Sequence, residues 1–114
     1  MPTLKILWTH LSNHQFDDLR QRAIDTNHLD EFIKAHNEIV TILRDLDQAT
    51  DKGDPLYRMK KAGGVVRHFL HNFISVTYSV LPDEGVGWVI KYVPVPACWP
   101  EKEASGDQNG KIAP

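Results

Sequence analysis

The residues with the clearest capacity for chemistry lie between Asp54 and Asp83, a stretch that contains no carboxylate. Its charged and imidazole side chains are Arg58, Lys60, Lys61, Arg67, His68 and His71. Guanidinium and ammonium groups on rigid strands can bind phosphate oxygens, and imidazole can transfer a proton near neutral pH. These residue types predict a site for a polyanion or a surface for an acidic protein segment. The structural alternative is that they are solvated strand residues that protect a sheet from aggregation.

The charge of this near-neutral chain is sorted along its length. Residues 12–54 contain ten Asp and Glu against five Lys and Arg, so an acidic half precedes the basic stretch. The net charge is -2, which argues against bulk electrostatic binding of nucleic acid. Any contact with a polyanion is therefore expected to be local.

Metal, nucleophile and cofactor sites are not predicted. His10 and His14 are four residues apart, but a junction between a strand and a helix cap is expected between them. His68 and His71 differ by three within a predicted strand and should point to opposite faces. Cys98 is the only cysteine and lacks a rigid base beside it. No glycine-rich phosphate loop or dinucleotide fingerprint occurs.

One strand and one helix are predicted at the start of the chain. Residues 4–10 have period-two spacing with apolar side chains on both sides, which suits an interior or helix-covered strand. Ser12 and Gln15 fit the Ser-x-x-Gln capping box. A first helix is therefore expected over residues 13–25, with Ser12 as its N-cap.

The second helix has the strongest pattern in the chain. Apolar residues recur at i, i+3, i+4 and i+7 over residues 29–46. His36 lies on this apolar stripe, where a core or border histidine is the commoner explanation. The short connection at residues 26–28 predicts an antiparallel helical hairpin. We expect the helix to bury Phe32, Ile33, Val40 and Leu43 against a sheet.

A meander of four strands follows a turn-rich linker at residues 49–55. The strands are expected over residues 56–62, 65–71, 73–81 and 86–95, with turns at Gly63-Gly64 and at residues 82–85. Alternation in the third of these strands predicts a covered face and a wet face. The covered face is expected to be Ile74, Val76, Tyr78 and Val80, and the wet face Ser75, Thr77 and Ser79.

The element order predicts an α+β domain with two layers, in which an N-terminal strand and a helical hairpin pack on an antiparallel β-sheet. We expect one domain over residues 1–95 and a flexible tail over 96–114, which is rich in Pro, Gly and polar residues. The single cysteine and the lack of a long apolar run predict a cytoplasmic protein that does not enter a membrane.

This layout resembles the RelE/ParE superfamily, the toxins of bacterial type II toxin–antitoxin systems. The resemblance covers about residues 4–95 and includes Trp8 in the first strand. Gly53-Asp54-Pro55-Leu56 is similar to the family's Gly-x-Pro-Leu segment before its second strand. The family's Tyr-Arg-Val-x-Tyr-x-Val strand is similar to Phe73-Ile74-Ser75-Val76-Thr77-Tyr78-Ser79-Val80.

The resemblance implies one of two mechanisms. One branch cuts mRNA in the ribosomal A site with cations that stabilise phosphate charge, and the other poisons DNA gyrase without a hydrolytic site. For the nuclease branch the resemblance implies Arg58 and Lys60 as catalytic cations, and Arg67 and His68 on the neighbouring strand are the candidates to compensate for the cations that are missing. Ser75, however, replaces an arginine of that branch, and the segment after Val93 offers no cation. Each missing donor could cost on the order of 100-fold in rate.

We therefore predict a toxin-like component that acts mainly by binding proteins, namely an antitoxin and a cellular target such as DNA gyrase. The predicted partner-binding residues are Arg58, Lys60, Lys61, Arg67 and His71. One alternative is a ribosome-dependent mRNA endoribonuclease. Another is an inactive family relative that serves as an interaction module.

Overall fold

A computed structural model describes residues 3–58 and 65–100, and these form an α+β fold in which helices cover one face of a five-stranded sheet. The predicted fold class is confirmed. No helix in these two ranges is both long enough and apolar enough to cross a membrane. The elements are β1 (Lys5–Trp8), α1 (His10–Asp25), α2 (Leu29–Arg44), α3 (Leu46–Asp51), β2 (Asp54–Arg58), β3 (Val65–His71), β4 (Ile74–Leu81) and β5 (Val86–Pro94).

The strand order is β1-β5-β4-β3-β2. β2 to β5 form the predicted antiparallel meander, whereas β1 pairs in parallel with β5 at one edge. Ile6 and Trp8 of β1 pack against the hydrophobic core. The first strand is therefore covered by helices, as expected, but it is an edge strand rather than an interior one.

The first helix begins earlier than the sequence predicted. Thr9 is the N-cap of α1, and its hydroxyl oxygen accepts a hydrogen bond from the Ser12 N–H at 3.0 Å. Ser12 is buried, and its hydroxyl donates to the carbonyl oxygen of Val89 at 2.8 Å. Gln15 Oε1 accepts the N–H of Tyr92 at 2.8 Å. The predicted capping box was wrong because both of its polar side chains bond strand β5 instead.

The helical hairpin is confirmed, with Asn27 in the left-handed region (φ 62°) at its turn. The second helix ends two residues earlier than expected, at Arg44, because Asp45 adopts an extended conformation. The Asp45 side chain then accepts the N–H of Gln48 at 3.0 Å and caps the short helix α3. Helix α3 thus occupies part of the linker predicted at residues 49–55.

The residues of α2 that face the core differ in part from those predicted. Phe32 and Leu43 are buried as expected, but Ile33 is 46% exposed and Val40 is only half-buried. The expectation for Ile33 was wrong because it lies at the margin of the stripe. The buried positions of α2 are Phe32, Ala35, Ile39 and Leu43, which follow the spacing of one helical face. On the sheet side, the core contains the predicted Ile74, Val76, Tyr78 and Val80.

The other face of β4 is less wet than predicted. Ser75, Thr77 and Ser79 alternate with the core residues and so point away from the helices. Thr77 and Ser79 are nevertheless buried, and the Ser79 hydroxyl donates to the carbonyl oxygen of Val65 at 3.0 Å. Five accessible residues at and around Ser75 form the patch called here the open face, namely His68, Leu70, Ser75, Lys91 and Val93. The same side of the sheet also carries the exposed Asp54 of β2, next to His68, and the exposed Lys5 of β1.

The packed region continues past the boundary expected at residue 95. A short 3-10 turn at Pro96–Cys98 follows β5 and leads to Trp99, which is 2% exposed. The Trp99 ring lies against Phe73, with 4.7 Å between ring centroids, and beneath the guanidinium of Arg22. The segment through Pro100 therefore belongs to the domain, and the rest of the predicted tail lies outside the described residues.

Candidate functional site

The structure separates the site residues predicted from the sequence onto two faces of the sheet. Arg67 pairs directly with Tyr78 and His71 with Ile74, which places both on the side of the helices. His68 pairs with Thr77 and lies on the open face. Arg67 and His68 therefore do not converge on one reacting group.

Arg67 is half-buried and holds the turn between α3 and β2. Its Nη1 donates to the carbonyl oxygen of Gly53 at 3.0 Å, while the Gly53 N–H donates to the Tyr78 hydroxyl at 3.1 Å. A Cβ atom at Gly53 would lie 2.9 Å from the carbonyl oxygen of His68. This guanidinium is therefore engaged in fixing a tight turn.

His71 is also engaged within the fold. Its Nε2 lies 2.8 Å from Glu38 Oε1, which connects β3 to helix α2. A carboxylate beside the imidazole compensates its charge when it is protonated. His71 therefore adds little to a basic surface on this side of the sheet.

His68 and Ser75 form a polar pair on the open face. His68 Nε2 lies 2.8 Å from Ser75 Oγ, between β3 and β4. Asp54 is the direct partner of His68 on β2, and Lys91 is that of Thr77 on β5. A hydroxyl bonded to an imidazole can exchange a proton with it, but a catalytic pair also needs a third group that orients the base. Among the side chains that the structure describes, the hydrogen-bond partner found for the His68 ring is Ser75, on Nε2.

The remaining predicted cations are not placed by the structure. Lys60 and Lys61 lie outside the described residues, and for Arg58 only the backbone is described, opposite Val65 at the end of β2. Their catalytic and partner-binding roles stay predictions.

A second polar group is centred on His36 of helix α2, which was predicted to be a core or border histidine and is half-buried. Its Nδ1 lies 2.8 Å from the Tyr92 hydroxyl. The imidazole is surrounded by the rings of Phe16, Trp8 and Phe32, at centroid distances of 4.9, 5.9 and 6.0 Å. A cavity of about 160 Å³ opens beside it, lined by Trp8, Asn13, Phe16 and His36. The sequence indicated this group only through the position of His36 on the apolar stripe of helix α2.

Burial lowers the pKa of His36 and raises that of Tyr92. Because the folded state then binds a proton less readily than the unfolded state, stability contributed by neutral His36 is lost as the pH falls below about 6.5. We predict that the free energy of unfolding, measured with urea, falls more for the wild type than for His36→Leu when the pH is lowered from 7.5 to 5.5. An equal pH dependence for both proteins would contradict this role of His36.

No group of three or more His, Cys, Asp or Glu side chains that could hold a metal ion occurs in the part of the chain that the structure describes. Comparison with family models, with curated proteins and with solved structures gave no match.

Proposed function

We propose that this protein is a toxin-like component of a type II toxin–antitoxin system that acts by binding proteins, an antitoxin and a cellular target such as DNA gyrase. The motif resemblance and the agreement in element order support this assignment. The observation that carries the choice of binding over cleavage is the placement of Arg67 and His68 on opposite faces of the sheet.

The open face has the composition of a small docking surface. Leu70, which is 49% exposed, and the half-buried Val93 lie on either side of Ser75 in one row across three strands. The exposed Lys91 lies in the neighbouring row with His68. Apolar side chains beside an exposed cation suit a partner segment that presents apolar residues and a carboxylate.

The helical layer differs from this face in charge. Helices α1 and α2 carry six Asp and Glu against four Lys and Arg at exposed or half-buried positions, and the acidic residues include Asp17, Asp18, Asp30, Glu31 and Glu38. The excess of acidic residues disfavours an acidic partner on the helices, and Lys91 favours one on the open face, which gives the interaction an orientation.

The endoribonuclease alternative has one observation in its favour. His68 and Ser75 form a hydrogen-bonded pair on an accessible surface, so a proton carrier exists there. Phosphate cleavage also needs cations aimed at the developing charge, and Arg67 faces the helices. Among the five residues of the open face, Lys91 is the only exposed cation.

A growth assay with Lys91→Glu tests the proposed binding surface. Induced expression of the wild type in a bacterial host that lacks the antitoxin should slow growth, and Lys91→Glu should relieve the arrest. Lys34→Glu is the matched control, because Lys34 is an exposed lysine on helix α2 and should leave the arrest unchanged. Equal toxicity of Lys91→Glu and the wild type would reject the open face as the docking surface.

A further inference from the structure

Two histidines on the first turns of helix α1 lie side by side. Because Thr9 rather than Ser12 caps the helix, both His10 and His14 are helical and occupy positions i and i+4. Their ring centroids are 4.7 Å apart, and both residues are exposed. The sequence-based expectation that a junction separates them was wrong.

The spacing of the two rings matches that of imidazoles on one metal ion. A coordinating nitrogen lies about 2.0–2.1 Å from a bound Zn²⁺, which puts the ring centroid about 3.2 Å from the ion. Two such rings at an angle of about 90–110° have centroids roughly 4.5–5.2 Å apart. The observed 4.7 Å lies inside this interval.

We propose that His10 and His14 form a two-imidazole site for a divalent transition-metal ion of the Zn²⁺, Ni²⁺ or Cu²⁺ class. These ions favour imidazole nitrogen, and the two exposed rings lie directly against each other. No third His, Cys, Asp or Glu in the described ranges joins the pair. Water completes the coordination shell, or a ligand from a bound partner does so.

Titration of the untagged full chain with Ni²⁺ by calorimetry tests the site. The wild type should bind one Ni²⁺ ion, and His14→Ala should weaken binding by at least about tenfold, since it removes one of two protein ligands. His28→Ala is the control, because His28 lies at the turn between the helices and bonds Glu31. That variant should bind Ni²⁺ as the wild type does.

Thermal unfolding provides a second measurement. Because the ion binds the helical arrangement of the two rings, millimolar Ni²⁺ should raise the melting temperature of the wild type and of His28→Ala, but not that of His14→Ala. Both histidines are exposed, so His14→Ala should fold normally. Equal Ni²⁺ affinity of His14→Ala and the wild type, or no binding by the wild type, would overturn the proposal.

Discussion

Replacing Trp99 by alanine should lower the free energy of unfolding by about 3–5 kcal/mol, as for other large buried aromatic side chains. Trp99 is 2% exposed, packs on Phe73, and donates from Nε1 to the Thr26 hydroxyl at 3.3 Å. Arg22 stacks on its ring, with Cζ 4.8 Å from the ring centroid. For a domain of this size the loss corresponds to a fall in melting temperature of roughly 12 °C or more.

Two control variants distinguish the contribution of the Trp99 side chain from that of the residues around it. Cys98 is exposed beside Trp99, so Cys98→Ala should change the melting temperature little. The composition of residues 101–114 predicts that their deletion also leaves the melting temperature nearly unchanged. A Trp99→Ala protein that melts within a few degrees of the wild type would show that the domain ends before residue 96.

Gly53→Ala should destabilise the fold by about 2–3 kcal/mol because the new methyl group has no room. It would lie 2.9 Å from the carbonyl oxygen of His68 and 3.0 Å from the Tyr78 hydroxyl, and the first of these is a backbone atom that cannot move alone. Moving Gly53 outward would also break its bonds with Tyr78 and Arg67. Urea unfolding measures the loss.

The matched control is Gly85→Ala. Gly85 has φ 66° but no atom within 4 Å of its would-be Cβ, so only backbone strain of about 1–2 kcal/mol is expected there. A smaller effect at Gly53 than at Gly85 would contradict the tight turn at Gly53, to which Arg67 is hydrogen-bonded.

The fold could be predicted from the sequence because its signals are local and repeated. The alternation from Ile74 to Val80 predicted correctly which residues of β4 face the helices. The apolar stripe of α2 predicted that this helix packs on the sheet. The start of α1 was mispredicted, because Ser12 and Gln15 satisfy a capping rule while their actual partners, Val89 and Tyr92, are distant in sequence.

The site was harder to predict because several of its contacts join elements that are far apart in sequence. Arg67 and His68 are neighbours in sequence, and strand geometry alone puts them on opposite sides. What the sequence did not reveal is that Arg67 bonds Gly53 and that His71 bonds Glu38, since both contacts join separate elements. The His10–His14 pair was not predicted because the first helix was expected to begin at residue 13, three residues after its actual start at His10.

Primer extension on mRNA from translating ribosomes, with the purified protein added, tests the central claim that this protein binds rather than cleaves. Because Arg67 and His68, two of the four candidate catalytic residues, lie on opposite faces, and Ser75 stands where the nuclease branch that the chain resembles has an arginine, we expect no new RNA ends with the wild type. Codon-dependent cleavage by the wild type that is lost in His68→Ala, while that variant melts like the wild type, would contradict the claim and establish the endoribonuclease.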